Sequence, residues 1–223
     1  MRYHNITKDD MNNGDGLRVV LWVAGCSHCC KECQNQFTWD PDGGLLFDDK
    51  AKAEIFDQLD KSYISGITFS GGDPLHHANK EGILALAKEI KEKYPKKTMW
   101  LYTGYSWSEI FELELMRYLD VVIDGEFKIE EKDNTLMWKG SKNQKVIDVK
   151  ATLHSSRPAE PILYCDDHKS FNTPDGRFRI IDDSLEYPMP QYLEENWDSN
   201  MPFSLVAIPG LHTLNSVLNQ ETA

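Results

Sequence analysis

Long apolar runs, positive charge and early proline are what this 223-residue chain has least of. No apolar stretch approaches the roughly 18 residues that a membrane span requires. Residues 1–16 are polar, with neither an apolar core nor a small-residue cleavage site, so they do not read as a secretory leader. Lysine and arginine total 24 against 36 acidic residues, a net charge of −12. That balance argues against nucleic acid or an anionic membrane as the main partner. A cytoplasmic protein with reduced thiols is the expectation.

Only three of the ten prolines precede residue 150, so little there interrupts regular structure. Residues 1–150 hold 20 basic and 25 acidic side chains, whereas residues 151–223 hold 4 and 11 together with seven prolines. The shift predicts a first domain over 1–150 and an acidic, Pro-rich C-terminal extension over 151–223. The extension is too rich in apolar residues for a plain disordered tail. It reads as an extension packed on the body or as a partly ordered arm, and its functional reading is that it docks a partner or covers an open side of the first domain.

Cysteine is sparse too, five in all, yet four of them fall within Cys26-Ser-His-Cys29-Cys30-Lys-Glu-Cys33. Cys26, Cys30 and Cys33 have the spacing C-x3-C-x2-C, directly after the β-branched run Leu17–Val23. Three thiolates on one tight loop can hold three corners of an iron–sulfur cluster and leave one iron open. Four thiols so close together suit metal binding better than disulfides. A structural zinc site from these cysteines, or with Cys165, is the competing reading, but zinc knuckles normally come as two separated C-x2-C pairs. Cys29, adjacent to Cys30, should point away from whatever Cys30 binds.

The first 150 residues alternate strand and helix signals. Strands are predicted at Leu17–Val23, Ile64–Ser70, Thr98–Thr103, Asp120–Asp124 and Gln144–Val149. Helices are predicted over Asp48–Lys61, with Ala51, Ile55 and Leu59 on one face, and from about Asn79 to Tyr94. A third helix should run from a Ser106–Glu109 capping box through Leu119. Such βα units imply an α/β fold with a parallel sheet and helices outside. A closed eight-fold barrel takes about 250 residues, so the expectation is an open, partial (β/α) barrel. The cysteine loop, Gly71–Pro74, Thr103–Tyr105 and Asp124–Phe127 all follow C-terminal ends of strands, the face that carries chemistry in such folds.

Gly71-Gly72-Asp73-Pro74 alone would be an ordinary turn. Beside a three-cysteine loop it gains a second reading, because two residues without Cβ let a ligand approach the backbone.

The cysteine spacing followed by Gly-Gly-Asp-Pro resembles the radical S-adenosylmethionine enzymes. Asn13-Gly-Asp-Gly-Leu-Arg18, Trp39, Ser70–Leu75, Trp100–Tyr105, Val122–Phe127 and Gly140–Gln144 narrow the resemblance to one subgroup, the anaerobic ribonucleoside-triphosphate reductase activating proteins. It covers roughly residues 1–150. The resemblance implies that Cys26, Cys30 and Cys33 ligate three irons of a [4Fe–4S] cluster. S-adenosyl-L-methionine would chelate the fourth, with Gly71, Gly72 and Asp73 at its amine end and Glu32, Cys33 and Gln34 lining it. Reductive cleavage would give a 5′-deoxyadenosyl radical that generates a glycyl radical on the partner, the reductase large subunit. A low-potential donor such as flavodoxin would supply the electron. The positions flanking Cys33, often aromatic in these groups, are Glu32 and Gln34 here. Lys139 replaces an arginine, keeping the charge and losing the planar fork, and Asp15 stands where proline is common.

His28 reads as a solvent-facing loop histidine, and His76-His77 as loop residues. Trp100, Tyr102 and Tyr105 read as core and rim aromatics. Asp124 stands equally for a cofactor-hydroxyl partner or a turn cap. Competing functions are the activase of another glycyl radical enzyme, a small-molecule radical enzyme, or a non-catalytic zinc or iron–sulfur interaction module. A thiol redox protein would use only Cys30 and Cys33 and leave the rest unexplained.

Overall fold

The structure, a computed structural model, describes residues 1–164. Most of the expected extension, Cys165 included, lies outside the described residues. Among the described residues seven strands form one open sheet. They are β1 (Arg2–Asp10), β2 (Leu17–Val23), β3 (Leu45–Leu46), β4 (Ile64–Gly71), β5 (Thr98–Tyr102), β6 (Val121–Asp124) and β7 (Lys145–Asp148). Their spatial order is β3-β1-β2-β4-β5-β6-β7.

The predicted βα rhythm accounts for the centre of this sheet. β2, β4, β5 and β6 pair in parallel. Both edges depart from it. β1 runs antiparallel to β2, and β3 pairs antiparallel with β1. β1 escapes sequence reading because only the two-residue β3 flanks it on the outer side and its residues, Ile6 excepted, are exposed or half-buried, so no apolar alternation marks it. β7 is antiparallel to β6, not a further parallel strand. A parallel return needs a crossover, usually a helix, and between β6 and β7 there is only a 3-10 turn at Ile129–Glu131.

The helices are α1 (Asp49–Leu59), α2 (Lys80–Lys93), α3 (Trp107–Ile110) and α4 (Val149–His154). Asp48 caps α1 by accepting the Lys50 and Ala51 amides, each at 3.0 Å. The capping box at Ser106–Glu109 is present, but α3 stops after one turn and a 3-10 turn follows at Glu114–Arg117. In a continuous helix Met116 would lie opposite Trp107; both are buried, and the break makes that possible. Among the described residues no helix is long and apolar enough to cross a membrane.

The main core joins Val19, Leu21, Val23, Ile67, Phe69 and Met99 of the strands to Ile55, Leu59, Ile83 and Ile90 of α1 and α2. A second cluster gathers Trp100, Val121 and Ile123 with Tyr102, Trp138, Val146 and Tyr164. Packing continues beyond residue 150. The Asp148 amide donates to Ile162 O, the Tyr164 amide to Val146 O, and Tyr164 meets the Trp100 ring edge-on.

Candidate functional site

The C-terminal ends of β2, β4, β5 and β6 carry four loops that meet. The loop after β2 holds the cysteines. Cys26, Cys30 and Cys33 are half-buried thiols, whereas Cys29 is exposed. Cys29 takes a left-handed φ of 52°, which turns it outward as its neighbour turns in. Cys33 Sγ accepts the Asn35 N–H at 3.4 Å. The backbone of His28 near Cys26, and of Phe127 near Cys30, partly offsets the effect of burial on those two thiols. Burial raises the Cys26 thiol to about 11 and raises Cys30 as well.

The loop after β4 is the Gly-Gly-Asp-Pro turn. It is sewn to the base of the cysteine loop by Gly72 N–H donating to Val23 O and Asp73 N–H to Gly25 O, both at 2.8 Å. Gly72 must lack a side chain, since a Cβ would overlap Gly25 O and come within 2.9 Å of Thr38 O. Asn79, at the N-terminus of α2, makes no cap bond. Its side-chain Nδ2 instead donates to Ala24 O at 2.8 Å and Asp73 O at 3.0 Å, diverted from the helix to the site.

Asp73 is buried, and its carboxylate is fully engaged within the protein. It accepts from Leu75 N–H at 2.8 Å, from Thr103 Oγ1 at 3.0 Å and from Gly104 N–H at 3.0 Å. It also faces His28 Nε2 at 2.8 Å. His28 is thus not solvent-facing; its side chain is 9% exposed, because pairing with a buried carboxylate draws it inward. The Asp73 hydrogen bond raises its pKa, with Glu126 adding to the rise and burial opposing it. The position of His28, midway between two ligand-type cysteines, was the available signal. Nothing local reveals its distant partner.

The remaining residues have plain places. Glu32 and Gln34 are exposed on the cysteine loop. Asp124 is buried and caps, accepting Trp107 N–H at 2.8 Å and Lys145 N–H at 3.0 Å. Lys139 donates to Gln144 O, and Gln144 in turn receives Gly140 N–H and donates to Gly125 O. The Gly140–Gln144 stretch therefore braces the turn whose Phe127 backbone lies near Cys30. A cavity of about 410 Å³ opens beside the site, lined by Ser27, His28, Gly104, Tyr105, Glu109 and Lys128 among others.

The donor set fits an iron–sulfur cluster. Among the described residues no three His, Cys, Asp or Glu side chains are placed to hold a single metal ion. Thiolates of a cubane each bind a different iron and need not converge on one point.

Residues 12–147 match the family model for a 4Fe-4S single cluster domain. An anaerobic ribonucleoside-triphosphate reductase-activating protein of enterobacteria phage T4 is 42% identical over 146 residues, 66% of this chain and 93% of the phage protein. The chain belongs to this family. A protein of the same name from Haemophilus influenzae is 41% identical over 148 residues, 65% of this chain and 96% of its own. One from Escherichia coli K12 is 38% identical over 150 residues, 66% and 97% of the two chains. The family model spans the cysteine loop, the Gly-Gly-Asp-Pro turn and the Gly140–Gln144 brace, and ends near the end of β7.

Proposed function

We propose that this protein activates an anaerobic ribonucleoside-triphosphate reductase as a radical S-adenosylmethionine enzyme. The observation that carries the reading is the meeting of the three-thiol loop with the Gly71–Pro74 turn at one end of four parallel strands. The names of the relatives supply the partner. In this reading the open sheet is a partial (β/α) barrel of the radical S-adenosylmethionine type, built from residues 1–150. Its open side lets a loop of a large protein substrate approach.

Cys26, Cys30 and Cys33 hold three irons of the cluster. The backbone of Gly71, Gly72 and Asp73 receives the amine end of S-adenosylmethionine, and Glu32, Cys33 and Gln34 border it. Asp73 contributes through its place in the turn, since its carboxylate is occupied by Thr103, Gly104 and His28. A reduced cluster held there would supply one electron for cleavage of the sulfonium C–S bond to methionine and a 5′-deoxyadenosyl radical, the species that would take a hydrogen atom from a reductase glycine. The protein's part is to ligate, orient and exclude water. The Asn35 N–H on the Cys33 sulfur is the kind of contact that tunes a cluster's potential. A low-potential donor such as flavodoxin provides the electron, and the work takes place in an anaerobic cytoplasm.

The test is anaerobic. The protein is reconstituted with iron and sulfide, reduced, and given S-adenosylmethionine beside a Cys30→Ala control. Cys30-dependent formation of methionine and 5′-deoxyadenosine is the expected result. A glycyl radical signal should follow on adding purified reductase. Stoichiometric zinc with no cluster would end the enzyme reading.

A further inference from the structure

His28 touches all three of the other loops at this end of the sheet. Nε2 lies 2.8 Å from Asp73 Oδ2 after β4, and Nδ1 lies 3.1 Å from Glu126 Oε1 after β6. The ring meets Tyr105, after β5, edge-on at 4.7 Å. Gly104 is shaped around it, since a Cβ there would overlap the imidazole.

The cysteine loop and the Gly-Gly-Asp-Pro turn are thereby joined at two places. At the base, Asp73 N–H donates to Gly25 O. At the tip, the Asp73 carboxylate meets His28. A single attachment would leave a hinge, whereas two set both the separation and the tilt of one loop against the other. The same carboxylate fixes the amides of Leu75 and Gly104, so the turn's backbone takes its position from a group that His28 holds.

We propose that His28 is a positioning residue. Through Asp73 it sets the Gly71–Pro74 backbone at the distance from the cysteine loop that a cluster-bound S-adenosylmethionine needs. The inference rests on the radical S-adenosylmethionine reading above. A small misplacement of such a backbone weakens recognition steeply, because hydrogen bonds to the ligand lose their geometry together.

The full chain, its His28→Leu and its His28→Gln variants are reconstituted anaerobically and compared by three readouts. These are iron and sulfide content, amide hydrogen exchange at Leu75 and Gly104, and S-adenosylmethionine affinity by equilibrium dialysis with the cluster oxidised. Leucine keeps bulk without a donor, whereas glutamine can still donate to Asp73. We expect equal iron in all three, with faster exchange at Leu75 and Gly104 and about tenfold weaker binding in His28→Leu. His28→Gln should recover most of both. Wild-type exchange and affinity in His28→Leu would overturn the proposal, as would equal impairment of the two variants. Loss of the cluster from both would also overturn it, by assigning His28 to cluster assembly. If the wild type itself holds a cluster but binds no S-adenosylmethionine, the enzyme reading fails. Exchange at Leu75 and Gly104 then still decides whether His28 holds the turn.

Discussion

The guanidinium of Arg18 lies 5.1 Å from the centre of the Trp100 ring, buried in the sheet. Its five N–H bonds go to Thr68 Oγ1, Asp15 O, Thr98 Oγ1, Ile67 O and Thr98 O. Burial lowers its pKa to about 10, so it stays cationic at neutral pH. The Asn13–Arg18 motif is explained by this packing, as Asn13 O accepts from the same Thr68 hydroxyl. Arg18→Leu strands several buried acceptors, each costing about 1–3 kcal/mol. The expected loss of roughly 3 kcal/mol or more is read from urea unfolding, and an unchanged midpoint would refute this account.

Cys29 and Cys30 adjoin in sequence but differ in environment, one exposed and the other half-buried. Cys29→Ser should reconstitute with wild-type iron content and visible absorbance, while Cys30→Ser should not. Loss of the cluster on replacing Cys29 would mean that the ligand set is wrong.

Two glycines give opposite expectations. Gly72→Ala drives a Cβ into the carbonyls of Gly25 and Thr38. It should cost about 2 kcal/mol or more and lower the thermal midpoint. Gly82 lies in α2, where an added Cβ meets only the flexible Met1 side chain, 3.0 Å away at its sulfur. Gly82→Ala should be neutral or stabilise by up to about 1 kcal/mol. A reversal of the two effects would contradict the packing.

Glu109 accepts from the Ser106 hydroxyl at 2.6 Å and the Ser106 amide at 2.8 Å, and these bonds lower its pKa from 4.5. A carboxylate with a lowered folded value stabilises above its unfolded value and loses that contribution as the pH falls through the folded one. Urea midpoints of the wild type and Glu109→Gln should differ at about pH 6 and converge by about pH 3. The effect is small because the group is exposed, and a difference independent of pH would discount the cap.

The composition boundary near residue 150 does not coincide with the end of the packing. Trp107 Nε1 donates to Pro158 O at 2.8 Å, and Tyr164 lies against Trp100 and Trp138. A chain ending after Lys150 should unfold at lower urea than one ending after Tyr164. Equal stabilities would show that residues 151–164 add nothing to the body.

The parallel centre of the sheet, both long helices and the spacing of the three cysteines were legible in the sequence. Each is a local property: β-branched runs such as Leu17–Val23, the i, i+4 face of Ala51, Ile55 and Leu59, and the length of one loop. The tertiary structure alone decided the rest. β7 turned antiparallel because no crossover helix follows β6, and α3 broke so that both Trp107 and Met116 could be buried. Asp124 became a cap once Trp107 and Lys145 presented their amides to it. His28, 45 residues from Asp73, became the link between two loops through a bond that no periodicity encodes. Patterning reports which face of an element is buried. Which distant polar group meets another is settled only when the strands pair and bring their ends together, since a buried carboxylate must find its donors wherever the fold places them.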